Sequence, residues 1–294
     1  MKKRVLSVVV VTALIFGALT GCGVEKAKAK AGDGSGGVTK AVVAYNPTSF
    51  PLAYKDDDGN PTGYEVEVVK ALDELLEDYE FEYEGVDYAT EYAGIATGAY
   101  DIVLSNAFYT DERAENYNLP ENFLGKSEMG IVVLNKYSDQ IKGLEDIPND
   151  WLTTPLVAGN GLTWVIDKYN EKNPDNQIHY DGYVENFFST KDSLAKVEQG
   201  QYNFYITTLS GWKNNVVDED GELHDEYNDK FTYIPAFLVN TYPVVAKEDT
   251  ELADKVNDAL STLYENGTLV DLSEKYLGYN QFELSNTNAD IDEN

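Results

Sequence analysis

The chain of 294 residues is predicted to be an α/β protein with two lobes, each containing a mostly parallel sheet flanked by helices. Strand-like and helix-like patterns alternate along it, and this order favours parallel strands with helices on the sheet faces. The alternation comes in two successive sets. The closing part of the chain is expected to return to the first set, so that two strands cross between the lobes.

The first set predicts three strands and two helices before residue 106. β-Branched and apolar runs indicate the strands, and the spacing of Val66, Val69 and Leu72 indicates the first helix. The second helix is expected to end at Gly98. The predicted elements are strands at 40–45, 80–86 and 101–105 and helices at 64–76 and 90–97.

The second set follows a strand-like run at 129–135. One of its helices is expected to end before Pro174, and the next to be capped by Ser189 or Thr190 and closed by Gly200. The predicted elements are strands at 156–159, 178–184 and 204–208 and helices at 163–173 and 190–199.

The closing part predicts a strand at 239–246 and two helices. Leu252, Val256 and Leu260 form an apolar stripe that ends at Asn266-Gly267, and a short helix is expected at 269–276. The expected crossing strands are 129–135 and 236–243. They divide the domain into lobe 1, residues 40–130 plus 241–283, and lobe 2, residues 131–240.

The chain begins with features of an export signal. Basic residues precede a short apolar run at 5–19, and Leu19-Thr20-Gly21 leads into Cys22. This resembles a bacterial lipoprotein signal, which implies cleavage before Cys22, a lipid on its sulfur, and an extracytoplasmic protein anchored to the cell membrane. An uncleaved transmembrane anchor is the alternative, but the run is shorter than the roughly 20 residues that a spanning helix needs.

Composition also defines the two ends of the domain. Residues 22–39, rich in Gly, Ala, Lys and Ser, are predicted to form a flexible linker after the signal segment 1–21. Residues 284–294 are rich in Asn and acidic residues, and they are predicted to form a disordered acidic tail.

The charge and the scarce residue types exclude several functions. A net charge of −30 repels phosphate backbones, so no nucleic-acid partner is expected. Two histidines and one cysteine leave no usual zinc site and no disulfide within the chain. The acidic runs at 56–59 and 218–221 lack the ligand spacing of a calcium loop and are interpreted as turns. No cofactor is expected.

Residues 105–113, directly after a buried strand, are the first candidate binding segment. Thr110 is a suitable N-cap, which places Arg113 at the third helical position. A guanidinium and the free amides of a helix start can together hold a carboxylate. An ordinary capped surface helix with an exposed arginine is the alternative. The next strand-to-helix turn contains Gly161, Leu162 and Thr163, where the Thr163 hydroxyl could serve a ligand or only the turn itself.

The chain resembles the polar-amino-acid family of extracellular solute-binding proteins of ABC transporters. The resemblance covers roughly residues 42–277 and depends on four motifs in order. They are Pro-Thr-Gly-Tyr-Glu-Val-Glu-Val-Val-Lys at 61–70, Gly-Ala-Tyr-Asp-Ile-Val-Leu-Ser at 98–105, Thr-x-x-Arg at 110–113 and Gly-Gln-Tyr-Asn-Phe-Tyr-Ile-Thr-Thr at 200–208. It implies a two-lobed, type II periplasmic-binding-protein-like fold, a monomer, and a permease as partner.

The resemblance also implies a role for each matching position. Arg113 would hold the α-carboxylate of an amino acid or derivative, helped by Thr163 and the backbone at Leu162. Ser105, Asn106 and the backbone of Ala107 would line the same end of the site. Tyr88 and either Tyr45 or Phe50 would form aromatic walls around the ligand side chain.

Two positions depart from the family pattern. Thr208 stands where the family has an aspartate for the ligand ammonium, so the ligand lacks a free amine, another acid such as Glu65 or Asp87 replaces it, or the alignment is shifted. Phe108 stands where relatives often have a small polar residue, and it would make the pocket tighter or more apolar.

Two other functions remain open at this stage. A few relatives with this fold are enzymes that catalyse elimination or dehydration of carboxylates, and Glu65 or Asp87 would be the general acid here. A sensor ectodomain that signals through a partner protein is the other alternative.

Overall fold

A computed structural model describes residues 37–285. The expected signal segment, the expected lipidation site Cys22, most of the predicted linker and most of the predicted acidic tail lie outside the described residues. None of the helices in the described range has the length and apolar character to cross a bilayer.

The order of strands and helices along the chain follows the predicted alternation. The strands are β1 (Thr39–Tyr45), β2 (Thr48–Ser49), β3 (Ala53–Lys55), β4 (Pro61–Thr62), β5 (Tyr79–Gly85), β6 (Ile102–Phe108), β7 (Gly125–Leu134), β8 (Leu152–Thr153), β9 (His179–Tyr180), β10 (Phe204–Thr208) and β11 (Phe231–Val245). The helices are α1 (Tyr64–Leu75), α2 (Tyr88–Thr97), α3 (Asp111–Asn116), α4 (Gly161–Lys172), α5 (Thr190–Glu198), α6 (Leu209–Trp212), α7 (His224–Tyr227), α8 (Thr250–Glu265) and α9 (Thr268–Leu277).

The main sheet has eight strands in the order β5-β1-β6-β11-β7-β10-β8-β9. β5, β1 and β6 are parallel at one end, and β10, β8 and β9 are parallel at the other. The long antiparallel strands β7 and β11 lie between them and pair with each other. The predicted two-lobed α/β class is therefore confirmed, but the two sheets are joined into one mixed sheet because β7 and β11 stay paired where they cross.

Each lobe buries apolar side chains on both faces of its sheet. Successive residues of a strand point to opposite faces, so Val43 joins the cluster with α1, α8 and α9 while Ala44 joins the cluster with α2. In the same way Ile131 of β7 packs with α4, and Val132 packs with α5 and Trp212. Helices thus cover both faces of both lobes.

β6, β7 and β11 are longer than predicted, and two other predicted strands are largely missing from the structure. The strand expected at 156–159 is absent, and Leu156 forms only an isolated bridge with Tyr183. Pro155, which lacks an N–H group, directly precedes it, so the ladder of β8 cannot continue. The strand expected at 178–184 is limited to β9, because Gly182 has a φ of 71° and turns the backbone out of the extended conformation.

The core of lobe 1 allows a matched stability test on one helix. Leu72 of α1 is 0% exposed and Leu75, one turn further, is 43% exposed. We expect Leu72→Ala to lower the free energy of unfolding by about 2–5 kcal/mol because it removes a fully buried side chain. Leu75→Ala should change it by about 0.5 kcal/mol or less. Urea unfolding followed by circular dichroism measures both, and equal effects would contradict this assignment of the core.

Candidate functional site

A cavity of about 280 Å³ lies between the two lobes. One wall comes from the end of β6 and the starts of α2 and α3, and the other from the end of β10 and the starts of α4 and α5. This is the carboxyl end of the parallel strands, where open α/β sheets bind ligands. The lining residues are Tyr88, Ser105, Asn106, Phe108, Arg113, Met129, Thr154, Asn160, Gly161, Leu162, Phe187, Phe188, Thr190, Ser193, Tyr205, Ile206, Thr207 and Thr208.

Arg113 lies at the lobe 1 side of this cavity, at the third position of α3. Thr110 caps the helix, and its hydroxyl accepts a hydrogen bond from the Arg113 amide at 3.1 Å. The guanidinium donates through Nη1 to the Phe108 carbonyl at 2.8 Å and through Nη2 to the Tyr88 hydroxyl at 3.3 Å. Its Cζ also lies 5.7 Å from the centre of the Tyr92 ring. All of these contacts are with neutral groups.

The charge of Arg113 has no counter-ion among residues 37–285. No carboxylate in that range lies within 4.0 Å of the guanidinium, and the side chain is only 9% exposed. Apart from Arg4, it is the only arginine in a chain with a net charge of −30. A buried cation without a partner is costly, so this geometry favours an anionic ligand, for which the planar guanidinium provides a fork of donors.

The tyrosines beside Arg113 are held by contacts with one another and with β6. The rings of Tyr88 and Tyr92 lie 4.9 Å apart, and the Tyr92 hydroxyl is 3.0 Å from that of Ser105. Burial raises the pKa of Tyr92 to about 12, although the neighbouring charge of Arg113 acts in the opposite direction. The phenol is therefore neutral at physiological pH.

The opposite wall begins where α4 approaches β6. Asn160 caps α4 by accepting a hydrogen bond from the Leu162 amide at 2.9 Å. A Cβ at position 161 would lie 2.6 Å from the Phe108 ring, so only glycine permits this contact between the lobes. Phe108 belongs to β6 but packs in the apolar cluster of lobe 2, and it also lines the cavity.

Comparison with known proteins identifies the family. Residues 41–279 match the bacterial extracellular solute-binding proteins, family 3. The chain belongs to this family. The resemblance found in the sequence is thereby confirmed.

Relatives of this family 3 protein match it over most of their lengths. It is 27% identical to the probable amino-acid-binding protein YxeM of Bacillus subtilis, over 94% of this chain and 96% of YxeM. It is 28% identical to the L-cystine-binding protein TcyJ of the same organism, over 81% and 84%. A structure from work on glutathione import by GshT and the cystine ABC importer TcyBC of Streptococcus mutans has a TM-score of 0.66 and 27% identity, and covers 83% of this chain and 97% of that chain.

The structure brings most of the sequence-predicted site residues to the cavity and leaves four away from it. One of the four is Ala107, which is buried in the lobe 1 cluster with α2. The residues that line it are Arg113, Leu162, Ser105, Asn106, Tyr88, Thr208 and Phe108. Thr163 does not line it, because its hydroxyl donates to the Val157 carbonyl at 2.7 Å within the turn before α4. Tyr45 is buried in the lobe 1 core. Phe50 is 59% exposed and packs on Tyr54.

Several lining residues were not identified from the sequence. Thr190 and Ser193 come from the start of α5, and Phe187 and Phe188 from the loop before it. Their position after a strand and before a capped helix was a usable signal, since ligands bind at such turns. Thr207 and Tyr205 of β10 gave no comparable signal, because a strand alone does not reveal which face lines a cleft.

Neither acid considered as a general acid lines the cavity. Glu65 of α1 is buried beneath it and accepts hydrogen bonds from the Asn106 amide at 3.1 and 3.3 Å. Burial raises the pKa of Glu65 to about 7, and the Asn106 amide opposes this rise. Asp87 is exposed and caps α2, accepting from the Thr90 amide at 2.9 Å.

Glu91 of α2 is a second buried acid on the same side of lobe 1. It is 0% exposed, and within residues 37–285 neither carboxylate oxygen has a hydrogen-bond partner. Burial raises the pKa of Glu91 to about 8, and the charges of Glu65 and Asp87 raise it further. The folded protein therefore favours the protonated form of Glu91.

This raised pKa predicts a pH-dependent stability. A carboxyl group whose pKa is higher in the folded than in the unfolded state destabilises the fold increasingly as pH rises from the ordinary value of 4.5 to about 8. We expect Glu91→Gln to raise the free energy of unfolding by about 1–3 kcal/mol at pH 8 and to have little effect at pH 4.5. Urea unfolding across this range measures the difference.

The control for this prediction is Glu77→Gln at an exposed position that follows α1. It should leave the pH dependence of stability unchanged. A wild-type curve that runs parallel to that of Glu91→Gln from pH 4.5 to 8 would contradict the buried, unpartnered carboxyl.

Proposed function

We propose that this protein is the solute-binding component of an ABC importer and that it captures a small carboxylate-bearing solute, an amino acid or a derivative of one, between its lobes. The observation that carries the proposal is the buried Arg113 guanidinium, which faces the cavity with neutral partners only. Relatives named as amino-acid-binding and L-cystine-binding proteins support the same class of solute. The other lining residues then select the rest of the molecule.

We propose a hinge motion as the mechanism of capture. Lobe 1 is taken as residues 40–130 plus 241–283 and lobe 2 as residues 131–240, and these boundaries fall inside β7 and β11. Two crossing strands can bend with little loss of pairing, so the lobes close over the solute and bury it. The closed form of the monomer then docks on the permease subunits.

Binding without catalysis is the function that the cavity supports best. Chemistry on a carboxylate solute needs a general acid or base within hydrogen-bond reach of it. Among the described residues that line the cavity there is no aspartate, glutamate, histidine or lysine. One structural neighbour is an ancestral amino-acid-binding protein described as a precursor of cyclohexadienyl dehydratase, but at 20% identity it supports the fold alone.

The test of the carboxylate clamp is removal of the guanidinium. We expect Arg113→Ala to weaken the binding of the tightest solute from a panel of L-amino acids, L-cystine and their N-acetyl forms by about 100-fold or more. Arg113→Lys should weaken it less, because it keeps the charge and loses only the fork. Isothermal titration calorimetry measures the affinities.

The matched control is Lys142→Ala, which removes one positive charge from an exposed position in lobe 2. It should bind like the wild type. Unliganded Arg113→Ala should unfold at the wild-type temperature or above, since it loses an unpaired buried charge. Wild-type affinity in Arg113→Ala would remove the clamp from this proposal.

We also propose that the mature protein is tethered outside the cytoplasm through a lipid on Cys22. The support is the sequence pattern of residues 1–22 together with a family described as extracellular. A tether would keep the binding domain close to its permease, which raises the effective concentration of each for the other.

Removal of the cysteine tests the tether directly. In bacterial cells labelled with radioactive palmitate, the wild type should be labelled and sediment with membranes. Cys22→Ala should lose the label because the acceptor sulfur is gone, while the domain keeps its affinity for the solute. Equal labelling of both proteins would contradict lipidation at this residue.

A further inference from the structure

The polar groups that line the cavity include a positive charge and no negative charge. Among the described lining residues, Arg113 is the single charged side chain, and the other polar groups are neutral hydroxyls and amides. The polar neutral set comprises Tyr88, Ser105, Asn106, Thr154, Asn160, Thr190, Ser193, Tyr205, Thr207 and Thr208. The cavity thus provides a partner for a negative charge and none for a positive charge.

Three acids that could be expected to serve a solute are engaged elsewhere. Glu65 accepts from the Asn106 amide and borders a separate small cavity near the crossing strands. Asp87 caps α2. Asp192, next to the lining residue Ser193, accepts from the hydroxyl of Ser189 at 2.8 Å on the exposed side of α5. None of the three is available to a solute held by Arg113.

Tyr205 contributes another neutral group to the wall of the cavity. It is only 4% exposed, and its hydroxyl is buried near those of Thr190 and Thr207, which also line the cavity. A hydroxyl carries no charge, so it cannot neutralise an ammonium. Hydroxyl groups can pair with an amide, because an amide offers both a donor and an acceptor.

Thr208 is the neighbouring residue that decides which charge on a ligand the cavity can pair with. It ends β10 and caps α6, with its Oγ1 accepting from the Gly211 amide at 3.1 Å and from the Ser210 hydroxyl at 3.3 Å. Its own hydroxyl proton is left to donate to a solute. A threonine here can serve a carbonyl but cannot neutralise an ammonium.

We infer that the cavity selects carboxylates without a charged ammonium, above all N-acylated amino acids, in preference to free amino acids. This inference rests on the proposed function, since it assumes that Arg113 holds the carboxylate. A free amino acid would bring its ammonium into a closed cavity that already contains a guanidinium and no anion of the protein. Burial of a cation without a counter-ion opposes binding, whereas an amide nitrogen carries no charge.

Calorimetry with matched probes tests the inference on the wild-type protein. The probes are leucine, methionine, phenylalanine and cystine, each as the free amino acid, the N-acetyl acid and the N-acetyl carboxamide. For the side chain that binds most tightly, the N-acetyl acid should bind about tenfold or more tighter than the free amino acid.

The two possible failures differ. A free amino acid that binds as tightly as its N-acetyl form overturns the inference and leaves the carboxylate clamp in place. That result would mean that the ring face of Tyr88, Phe187 or Phe188 holds the ammonium. An N-acetyl carboxamide that binds as tightly as the N-acetyl acid overturns the proposed function itself, since it lacks the carboxylate.

A pair of variants at Thr208 tests the same claim from the side of the protein. Thr208→Asp and Thr208→Asn both keep an N-cap oxygen for α6, and they differ from each other in charge. Thr208→Asp should bind the free amino acid about tenfold or more tighter than Thr208→Asn does. It should bind the N-acetyl acid more weakly than Thr208→Asn does. Equal preferences in the two variants would overturn the assignment of Thr208 as the residue that sets this specificity.

Discussion

The arrangement of the site depends on one unpaired charge. Arg113 is held by the Phe108 carbonyl, the Tyr88 hydroxyl and the face of Tyr92, all of them neutral. These contacts fix the guanidinium without satisfying its charge, so the charge is left for the carboxylate of the proposed solute. The position of the charge in turn follows from the Thr110 cap, which starts α3 directly after β6. A short local signal in the sequence thereby determines where the proposed carboxylate clamp lies.

The crossing strands β7 and β11 determine where the Arg113 side of the cavity lies relative to lobe 2. β7 and β11 stay paired from Phe231 with Leu134 to Thr241 with Gly125, so both lobes share one sheet. Phe108, at the end of β6, then reaches the cluster of lobe 2 and contacts Gly161 at the start of α4. The two lobes therefore meet at a contact between an aromatic ring and a helix start, at the edge of the cavity that Arg113 lines. A residue expected only to tighten the pocket also joins the lobes.

The features predicted correctly from the sequence depend on neighbouring residues in the chain, and the features missed depend on tertiary contacts. β10 was predicted at 204–208 as observed, and the Thr110 cap placed Arg113 correctly, because strand composition and capping are local properties. Thr163 was misplaced because its hydroxyl had a nearer acceptor in the Val157 carbonyl. Tyr45 was misplaced because a strand pattern does not tell a core face from a cleft face. Tyr205 and Phe188 line the cavity only through the folding of distant segments against each other.

Asn106 connects the cavity to a buried carboxyl and to the crossing strand β7. Asn106 has a φ of 48°, a left-handed conformation that is uncommon for residues other than glycine and is maintained here by contacts on two sides. Its amide N–H donates to Glu65, and its side chain donates to the hydroxyl of Ser127 on the crossing strand β7 at 3.3 Å. The same residue lines the cavity. Under the proposed hinge mechanism, a solute that contacts Asn106 would therefore act both on a buried carboxyl and on a strand that crosses between the lobes. The strained backbone of Asn106 is thus located where the proposed binding and closure would meet.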